Sequence, residues 1–407
     1  MSEEQRTRVR RRDFLKSSSV ATAGLVLVKP GSAFGATANS RIQLGAIGPG
    51  GRGTHDAGVF VTSSNVQITG IADAFRDRLD QAKAKLDEKL LQQGRAKIDR
   101  LFVGMEAYKE LLASGVDAVL ITSPPYYHAE QIEAAVDAGI HAYSEKPVAT
   151  DVFGAKRVIK AGEKAKANGI SIEVGFQLRS SKIYQEAAER VARGDIGEFV
   201  CGQVYYHAGA LTDRSKPGES KDQTRLRNWV FDIALSGDII VEQNVHCIDM
   251  ANWFLGALPV KAIGNGGQRV RTGLGDCYDH FQVLYTYPSD VQISFTSTQF
   301  LKGWGDVAVR VYGSKGVLEI HYSDNNKITG DNAFKWEGDP FDTVEERRVS
   351  GFVDSIITGK PVNSAESGAN SALSCILGRM AAYTGREYTW NKMMRSNQRF
   401  RVDLDVA

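Results

Sequence analysis

A short apolar strand that runs directly into a glycine-rich turn constrains the fold of this chain more than any other feature. Residues 42–47 have the apolar pattern of a strand, and residues 48–53 follow with the sequence GPGGRG, which fits G-x-G-x-x-G. In this spacing the first glycine permits a tight turn, the second lets the backbone approach a pyrophosphate, and the third allows a helix to pack closely on the strand. The feature predicts a strand, a turn and a helix whose N-terminus faces an anion.

A second apolar run, residues 66–72, ends at Asp73, which lies 20 residues after Gly53. A carboxylate at this spacing binds the ribose hydroxyls of a dinucleotide, and it favours NAD over NADP. Two alternatives stay open: Asp73 caps the helix that begins at Ala74, or the neighbouring Arg76 receives a ribose phosphate. We expect NAD, with NADP as the alternative.

Strands and helices continue to alternate as far as about residue 175. Residues 116–122 read as a strand buried on both faces, and residues 139–143 as a further short strand. This alternation predicts a doubly wound parallel sheet, in which ligands bind beyond the carboxyl ends of the strands. The fold class is α/β, a Rossmann sheet followed by an α+β domain, and the predicted boundaries are 1–38, 39–165 and 166–407.

Composition excludes several functional classes. The 407 residues contain 50 Lys+Arg and 48 Asp+Glu, and removal of residues 1–38 would leave 43 basic and 45 acidic residues. A nearly neutral body provides no field that would attract nucleic acid or anionic lipid, so a small molecule is the expected partner. The four cysteines form no C-x-x-C pair, which argues against a disulfide framework or a structural zinc site.

The N-terminus has the order of a secretory signal. Residues 10–16 read RRRDFLK, residues 17–28 are uncharged and apolar, and small residues follow up to Ala38. The apolar run is shorter than the roughly 20 residues that span a bilayer, so we expect cleavage and no stable membrane insertion. The Arg-Arg-x-Phe-Leu-Lys pattern resembles a twin-arginine signal, which predicts export of the folded protein to the periplasm or beyond. A basic, irregular N-terminus with an accidental arginine pair is the alternative.

The second half of the chain predicts a sheet. Five segments alternate with the two-residue period of strands and are separated by turns: 198–207, 278–287, 291–299, 306–312 and 317–322. We expect a large, mainly antiparallel open sheet. The polar segment 208–228 is either a lid that carries Arg227 and Trp229 to a substrate or a solvated loop that Trp229 anchors.

Several motifs together resemble those of the glucose–fructose oxidoreductase and inositol dehydrogenase (Gfo/Idh/MocA) family, over nearly all of residues 41–390. They are the glycine turn, His128, Glu145-Lys146-Pro147, residues 175–179 (GFQLR) and residues 242–249 (EQNVHCID). The resemblance implies hydride transfer between a nicotinamide and a carbon of a sugar, glycoside or cyclitol. It also implies a homodimer or homotetramer that uses the outer face of the sheet.

The resemblance implies roles for individual residues. Lys146 and His246 would handle the proton and the developing alkoxide, with Glu242 as the third catalytic residue. The predicted cofactor-binding residues are Gly48, Gly50, Gly51, Arg52, Gly53, Asp73, Ser123, His128, Glu145 and Lys146. The predicted substrate-binding residues are Arg179, Trp229 and Asp249. Aromatic and hydrogen-bonding groups at Tyr126, Tyr127, Arg179, Tyr206 and Trp229 would suit a sugar.

The last motif departs from the family pattern. The family commonly has Asp, Gly and His at alternate positions, where this chain has Glu242, Asn244 and His246. On one helix Glu242 and His246 would share a face, and Asp249 would lie near it. Asp249 is as well explained by helix stabilisation as by hydroxyl binding. A metal site made of Glu242, His246, Asp249 and His280 is an alternative, although the family implies no metal.

Three functions are compatible with these features. The first is an exported oxidoreductase with a tightly held dinucleotide, since no free nicotinamide pool exists outside the cytoplasm. The second is redox-neutral glycoside cleavage through a transient keto sugar. The third is a non-catalytic protein that binds a dinucleotide or a sugar. Lys146 would lie in an ordinary surface turn, and His246 would be a structural histidine, if the third were correct.

Overall fold

The computed structural model describes residues 41–406. The predicted export signal therefore lies outside the described residues. Residues 41–407 form one compact unit by their backbone contacts. Within residues 41–406 no helix combines the length and apolar character needed to cross a membrane.

The first half of this unit contains a six-stranded parallel sheet in the order β3-β2-β1-β4-β5-β6. Its strands are β1 (Ile42–Ile47), β2 (Val66–Asp73), β3 (Arg100–Val103), β4 (Ala118–Ile121), β5 (His141–Ser144) and β6 (Ile172–Val174). The short central strand β4 is buried at every position, as its uninterrupted apolar sequence predicts. The predicted Rossmann sheet is confirmed, and its sixth strand comes from beyond the predicted boundary at residue 165.

Helices cover both faces of this sheet. They are α1 (Gly51–Ser63), α2 (Arg76–Gln92), α3 (Ala107–Ala113), α4 (His128–Asp137) and α5 (Val152–Ala167). The next helix, α6 (Lys182–Ala192), packs in the second half of the chain, where the Tyr184 hydroxyl donates to the His321 carbonyl oxygen at 2.6 Å. The strand order reverses between β1 and β4, which both pair with other strands on their far sides. Such a reversal opens a crevice beyond the carboxyl ends of the two strands.

The second half contains a nine-stranded sheet in the order β14-β13-β12-β11-β7-β10-β9-β8-β15. Its strands are β7 (Phe199–Gly209), β8 (Lys261–Gly267), β9 (His280–Thr286), β10 (Gln292–Leu301), β11 (Asp306–Gly313), β12 (Gly316–His321), β13 (Lys327–Gly330), β14 (Phe334–Lys335) and β15 (Tyr388–Thr389). The five predicted strands are present. Only the central pair β7 and β10 is parallel, so the sheet is mainly antiparallel, as predicted.

Short helices join β7 to the rest of this sheet, and two long helices return from it to the first sheet. They are α7 (Lys221–Arg227), α8 (Ile233–Ser236), α9 (Ile239–Glu242), α10 (Val245–Leu255), α11 (Val344–Ile357), α12 (Ala365–Thr384) and α13 (Trp390–Ser396). Phe352 of α11 packs edge-on against Phe60 and Tyr143 of the Rossmann half. The two sheets are therefore tied together by packing as well as by chain connection.

Candidate active site

A cleft of about 610 Å³ lies at the carboxyl ends of β1, β2 and β4. Its lining combines the glycine turn and Asp73 of the Rossmann half with Tyr206, Glu242 and His246 of the second half. A smaller cavity of about 280 Å³ adjoins Lys146 and His246 and reaches Glu145 and Gln177. The larger volume is within the range of pockets that enclose small ligands and cofactors.

Two glycines of the turn, Gly48 and Gly53, are required because neighbouring atoms leave no room for a Cβ. A Cβ at Gly53 would lie 2.2 Å from Thr122 Oγ1, and one at Gly48, which has a φ of +70°, would lie 2.5 Å from the Ser123 backbone nitrogen. Gly51 has no such neighbour, since nothing lies within 4 Å of its Cβ position. The turn therefore presents bare backbone to the cleft at the start of α1, where an anion is stabilised.

Asp73 ends β2 at the rim of the cleft. Its Oδ1 accepts a hydrogen bond from the Phe75 backbone N–H at 2.8 Å. Burial raises the pKa of Asp73 to about 6, although this hydrogen bond and the charge of Arg78 act in the opposite direction. The neighbouring Arg76 pairs with Asp80 on the exposed side of α2, so a role for Arg76 in binding a ribose phosphate is not favoured.

His128 fixes two loops of the site. Its imidazole lies 2.8 Å from the Pro147 carbonyl oxygen and 2.7 Å from the Ser123 carbonyl oxygen. Burial lowers the pKa of His128, and a neutral ring donates to only one of these oxygens. Ser123 lines the cleft, and its hydroxyl donates to Gln131 at 2.6 Å. The Lys146–Pro147 peptide bond is cis.

Lys146 is held by Glu242 through two different atoms. Its Nζ lies 2.9 Å from the Glu242 carbonyl oxygen and 3.2 Å from Glu242 Oε1. The expectation that Glu242 and His246 share one helix is wrong, because α9 ends at Glu242 and α10 begins at Val245. In a continuous helix the His246 N–H would occupy that carbonyl oxygen. The interruption leaves the oxygen available to the ammonium group of Lys146.

His246 lies in the first turn of α10 and lines both cavities. Burial, followed by the positive charges of Lys146 and Arg52, lowers the pKa of His246 well below its usual value. Its Nδ1 is buried without a hydrogen-bond partner among the described residues. The aromatic rings of Phe176 and Tyr322 lie edge-on to the imidazole, with ring centroids 6.2 and 6.3 Å from its own. The ring is therefore neutral and able to accept a proton.

Arg52 forms ion pairs with three carboxylates beside the glycine turn. Its Nε bonds Asp56 at 2.9 Å, Nη2 bonds Glu145 at 3.3 Å, and Nη1 bonds Glu345 of α11 at 2.7 Å. Burial and the Glu145 charge raise the pKa of Asp56 well above its usual value. Space for the Glu145 carboxylate depends on Gly175, where a Cβ would lie 2.4 Å from Glu145 Oε1. Arg52 thus joins the glycine turn to the Glu-Lys-Pro loop.

The three predicted substrate-binding residues lie in different places. Trp229 lines both cavities. Arg179 and Asp249 instead bond each other through two 2.9 Å contacts, and Ser371 donates to Asp249 at 2.6 Å. Neither residue of this pair lines the cleft, so substrate binding by Arg179 and Asp249 stays a prediction.

The residues of the alternative metal site are not brought together. Glu242 pairs with Lys146, Asp249 pairs with Arg179, and His280 pairs with Asp279. Among residues 41–406, the one group of three suitable side chains with ligand atoms close together is His55, Asp56 and Glu345. Its two carboxylates already bind Arg52.

Sequence reasoning missed several residues that line the cleft. They are Phe75, Arg78, Met105, Tyr108, Leu211, Arg214 and Gln243. Helical direction could have distinguished Arg78 from Arg76, since these two residues point to different sides of α2. No sequence signal marked Arg214, which lies in the irregular segment after β7. One of the two alternatives for segment 208–228 placed Arg227 at the substrate; Arg227 is buried in ion pairs with Asp77 and Glu219.

The described residues fit a dinucleotide. The bare backbone of the glycine turn suits a pyrophosphate, Asp73 offers a carboxylate to ribose hydroxyls, and the neutral His246 faces the other end of the cleft with Lys146. The partnerless Nδ1 of His246 indicates a polar group that a ligand or solvent completes.

Comparison with known proteins agrees with this geometry. The model of the oxidoreductase family with an NAD-binding Rossmann fold matches residues 42–173, and the model of the Gfo/Idh/MocA C-terminal domain matches residues 184–319. These matches confirm the predicted family, the NAD-binding domain and an oxidoreductase enzyme.

Inositol dehydrogenases are among the similar proteins. A myo-inositol 2-dehydrogenase of Thermotoga maritima is 26% identical over 361 residues, which cover 84% of this chain and 95% of the relative. A scyllo-inositol 2-dehydrogenase (NAD(+)) of Bacillus subtilis is 24% identical over 315 residues, covering 75% and 80% of the two chains.

Solved structures share the fold. An oxidoreductase domain protein from Kribbella flavida aligns with a TM-score of 0.72 at 20% identity, over 86% of this chain and 99% of that one. A scyllo-inositol dehydrogenase from Lactobacillus casei with bound NAD(H) and scyllo-inositol aligns with a TM-score of 0.67 at 20% identity, over 86% and 100%.

Proposed function

The chain belongs to the Gfo/Idh/MocA family of oxidoreductases, and on this premise we propose that it transfers hydride between a tightly bound NAD and a hydroxyl-bearing or ketone carbon of a sugar, glycoside or cyclitol. The observation that carries the proposal is the convergence of Lys146, Glu242 and His246 on one cleft with the glycine turn and Asp73. When bound, NAD supplies the hydride acceptor and donor.

The residues of this end of the cleft suit alcohol oxidation. The neutral His246 takes the hydroxyl proton without first losing one of its own, because burial and nearby positive charge keep its pKa low. The Lys146 ammonium, held by Glu242, stabilises negative charge that develops on the substrate oxygen. In the reverse direction the same groups return the proton to a ketone oxygen.

A polyhydroxylated substrate agrees with the polar atoms near this end. Gln177 Oε1, which belongs to a residue lining the smaller cavity, is buried without a partner among the described residues. Trp229 and Tyr206 add aromatic surface to the cleft. Hydroxyls and apolar ring faces occur together in sugars and cyclitols, and both relatives described above are inositol dehydrogenases.

Export is part of the proposal. The twin-arginine pattern of residues 10–16 supports transport of a folded protein with its cofactor in place. A fusion of residues 1–38 to a reporter should reach the periplasm, and replacing Arg11 and Arg12 by lysines should retain the reporter in the cytoplasm. Retention of the unaltered fusion would contradict export.

A homo-oligomer is also proposed. The outer face of the nine-stranded sheet exposes Ile263 and Leu284, which are 47% and 37% accessible. Light scattering of the purified protein should give the mass of a dimer or tetramer, and a monomer mass would contradict this arrangement.

The central test begins with the purified full chain. Mass spectrometry of released ligand should identify NAD or NADH, and absorbance near 340 nm should change when a panel of cyclitols and sugars is added. A retained ketone product, detected by mass, would establish net oxidation. Absence of any bound or exchangeable dinucleotide, or of any absorbance change across the panel, would contradict the proposal.

Redox-neutral glycoside cleavage is the second candidate. A glycosyl hydrolase family 109 protein of Shewanella baltica is 26% identical over 218 residues, but these cover 49% of this chain and only 46% of that protein. Oxidation of a hydroxyl by NAD would acidify the neighbouring C–H, and elimination would break the glycosidic bond and release the aglycone alcohol. Water would then add to the unsaturated ketone, and return of the hydride from NADH would restore the hydroxyl. A free sugar of unchanged oxidation level, released from a glycoside without net NADH formation, would favour this candidate.

A further inference from the structure

Two arginines line the cleft without a protein partner. Arg78 lies in the first turns of α2, and Arg214 lies in the irregular segment that follows β7. Within residues 41–406 neither guanidinium group forms a hydrogen bond or an ion pair with the protein. Neighbouring arginines differ: Arg76 pairs with Asp80, Arg225 with Asp232, and Arg227 with Asp77. An unpaired arginine in a cleft is a binding group available to an anionic ligand.

Contacts between the two halves bring these arginines to one place. Asp77, the residue before Arg78, accepts a 2.9 Å hydrogen bond from Arg227. It also forms an ion pair with Lys216, which lies in the same irregular segment as Arg214. Asn228 accepts a 2.8 Å hydrogen bond from the Arg214 backbone N–H. The backbones that carry both arginines are therefore fixed by other residues, which leaves the two guanidinium groups free for a ligand.

The position of Arg78 beside the glycine turn indicates which part of a ligand the two arginines would contact. Arg78 Nη1 lies 3.0 Å from the position that a Cβ of Gly50 would occupy, so the guanidinium lies against the turn. Burial lowers the pKa of Arg214, and the positive charge of Arg78 lowers it further, which indicates that the two charges lie near each other. The charge of Glu242 acts in the opposite direction on Arg214, but within residues 41–406 neither guanidinium group is bonded to a carboxylate, so an anion that contacts both would offset their repulsion.

We propose that Arg78 and Arg214 form a clamp that holds the pyrophosphate of the dinucleotide against the glycine turn, one arginine from each half of the molecule. The inference rests on the proposed function, because it takes NAD as the ligand. A pyrophosphate is favoured over a ribose 2′-phosphate, since Arg78 lies at Gly50 and the ribose end already presents the carboxylate of Asp73. Because one arm comes from the second half, the clamp also slows release of the bound cofactor.

The test compares Arg78→Ala and Arg214→Ala with Arg76→Ala, a matched control on the same helix whose side chain pairs with Asp80. Release of NADH from the full chain is followed by its fluorescence while excess NAD prevents rebinding. Each clamp variant should release NADH about 10- to 100-fold faster, as expected for loss of a hydrogen bond to a charged group. Arg76→Ala should stay within about twofold of the wild type.

Nucleotide fragments identify the group that the clamp binds. Titration calorimetry should show weaker ADP binding in both clamp variants and unchanged adenosine binding, because adenosine lacks the phosphates. Unchanged NADH release in both variants would overturn the inference. So would a larger loss of affinity for adenosine 2′,5′-bisphosphate than for ADP, since the pair would then bind a ribose phosphate. A wild-type protein that binds neither NADH nor ADP would count against the proposed function itself.

Discussion

The two ends of the cleft differ in whether their charged side chains are paired. At the glycine turn, Arg78 and Arg214 have no anionic partner among the described residues, and the turn presents bare backbone. At the other end, Lys146 is already paired with Glu242, and the neighbouring His246 is neutral. The two arginines at the first end have no bonded anionic partner among residues 41–406, whereas Lys146 at the second end is already paired with one.

The difference suits the two ends to different functions, cofactor binding at the first and catalysis at the second. Binding a pyrophosphate is strongest where positive charge has no other partner, since the ligand then supplies the only neutralisation. Moving a proton and a hydride requires groups that are held in place and change charge during the reaction. Changes at the first end should therefore alter cofactor affinity, and changes at the second should alter turnover.

Replacing His246 or Lys146 should give the largest effect and separate the two ends. His246→Ala and Lys146→Ala should each lower kcat about 10²- to 10⁴-fold, the usual range for loss of acid–base catalysis. For His246→Ala, NADH affinity should stay within about threefold of the wild type in a fluorescence titration. If this variant lost NADH binding in proportion to turnover, the distinction between the ends would fail.

Gly53→Ala should damage the glycine end through packing. The added Cβ would lie 2.2 Å from Thr122 Oγ1 and 2.7 Å from the Gly48 carbonyl oxygen. Overpacking of this kind costs about 1–3 kcal/mol of unfolding free energy and should also weaken NADH binding. Gly51→Ala is the matched control in the same turn, because its Cβ meets nothing within 4 Å. Equal urea midpoints for the two variants would contradict the close approach seen at Gly53.

Asp73 makes cofactor affinity depend on pH at the glycine end. Its pKa of about 6 means that the carboxylate gains a proton as the pH falls below 6, and ribose hydroxyls donate less well to the protonated form. NADH affinity should fall about tenfold between pH 7.5 and pH 5. Asp73→Asn should bind more weakly and lose this dependence. The same dependence in Asp73→Asn would assign it to another group.

The Asp73 contribution to stability has the opposite sign. A carboxyl whose pKa is raised in the folded state stabilises the unliganded protein below its unfolded pKa, and that contribution is lost as the pH rises through about 6. Unfolding of the cofactor-free protein should therefore show an Asp73 contribution that favours acidic pH, while NADH binding favours neutral pH. Comparison of wild type with Asp73→Asn measures both.

Glu242→Gln should give the smallest effect. Lys146 would keep its 2.9 Å bond to the carbonyl oxygen of residue 242 and would lose only the charged partner at 3.2 Å. We expect kcat/KM to fall about 3- to 10-fold, the loss of one hydrogen bond, with NADH affinity unchanged. A kcat/KM equal to that of the wild type would indicate that the carbonyl contact alone holds Lys146 in place.

Local patterns were sufficient for the first half of the fold. A strand, glycine turn and helix are specified by neighbouring residues, so β1, α1, β2 and Asp73 could be predicted from spacing alone. Two-residue alternation likewise identified five strands of the second sheet. Four strands of this sheet were missed. The short strands β13, β14 and β15 have two to four residues, which carry too little periodicity, and β8 has the sequence KAIGNGG, whose glycines interrupt the apolar alternation.

The sequence by itself determined which chemical groups this protein has available: the bare turn of residues 48–53, the acid at 73, the lysine at 146 and the histidine at 246. Only the tertiary structure decided which of them are neutralised. The break between α9 and α10 gave a carbonyl oxygen to Lys146, and Arg179 and Asp249 paired with each other. The guanidinium groups of Arg78 and Arg214 were left without a bonded partner within residues 41–406. Such pairings join residues far apart in the chain, and their energies depend on distance and burial, which no local pattern specifies.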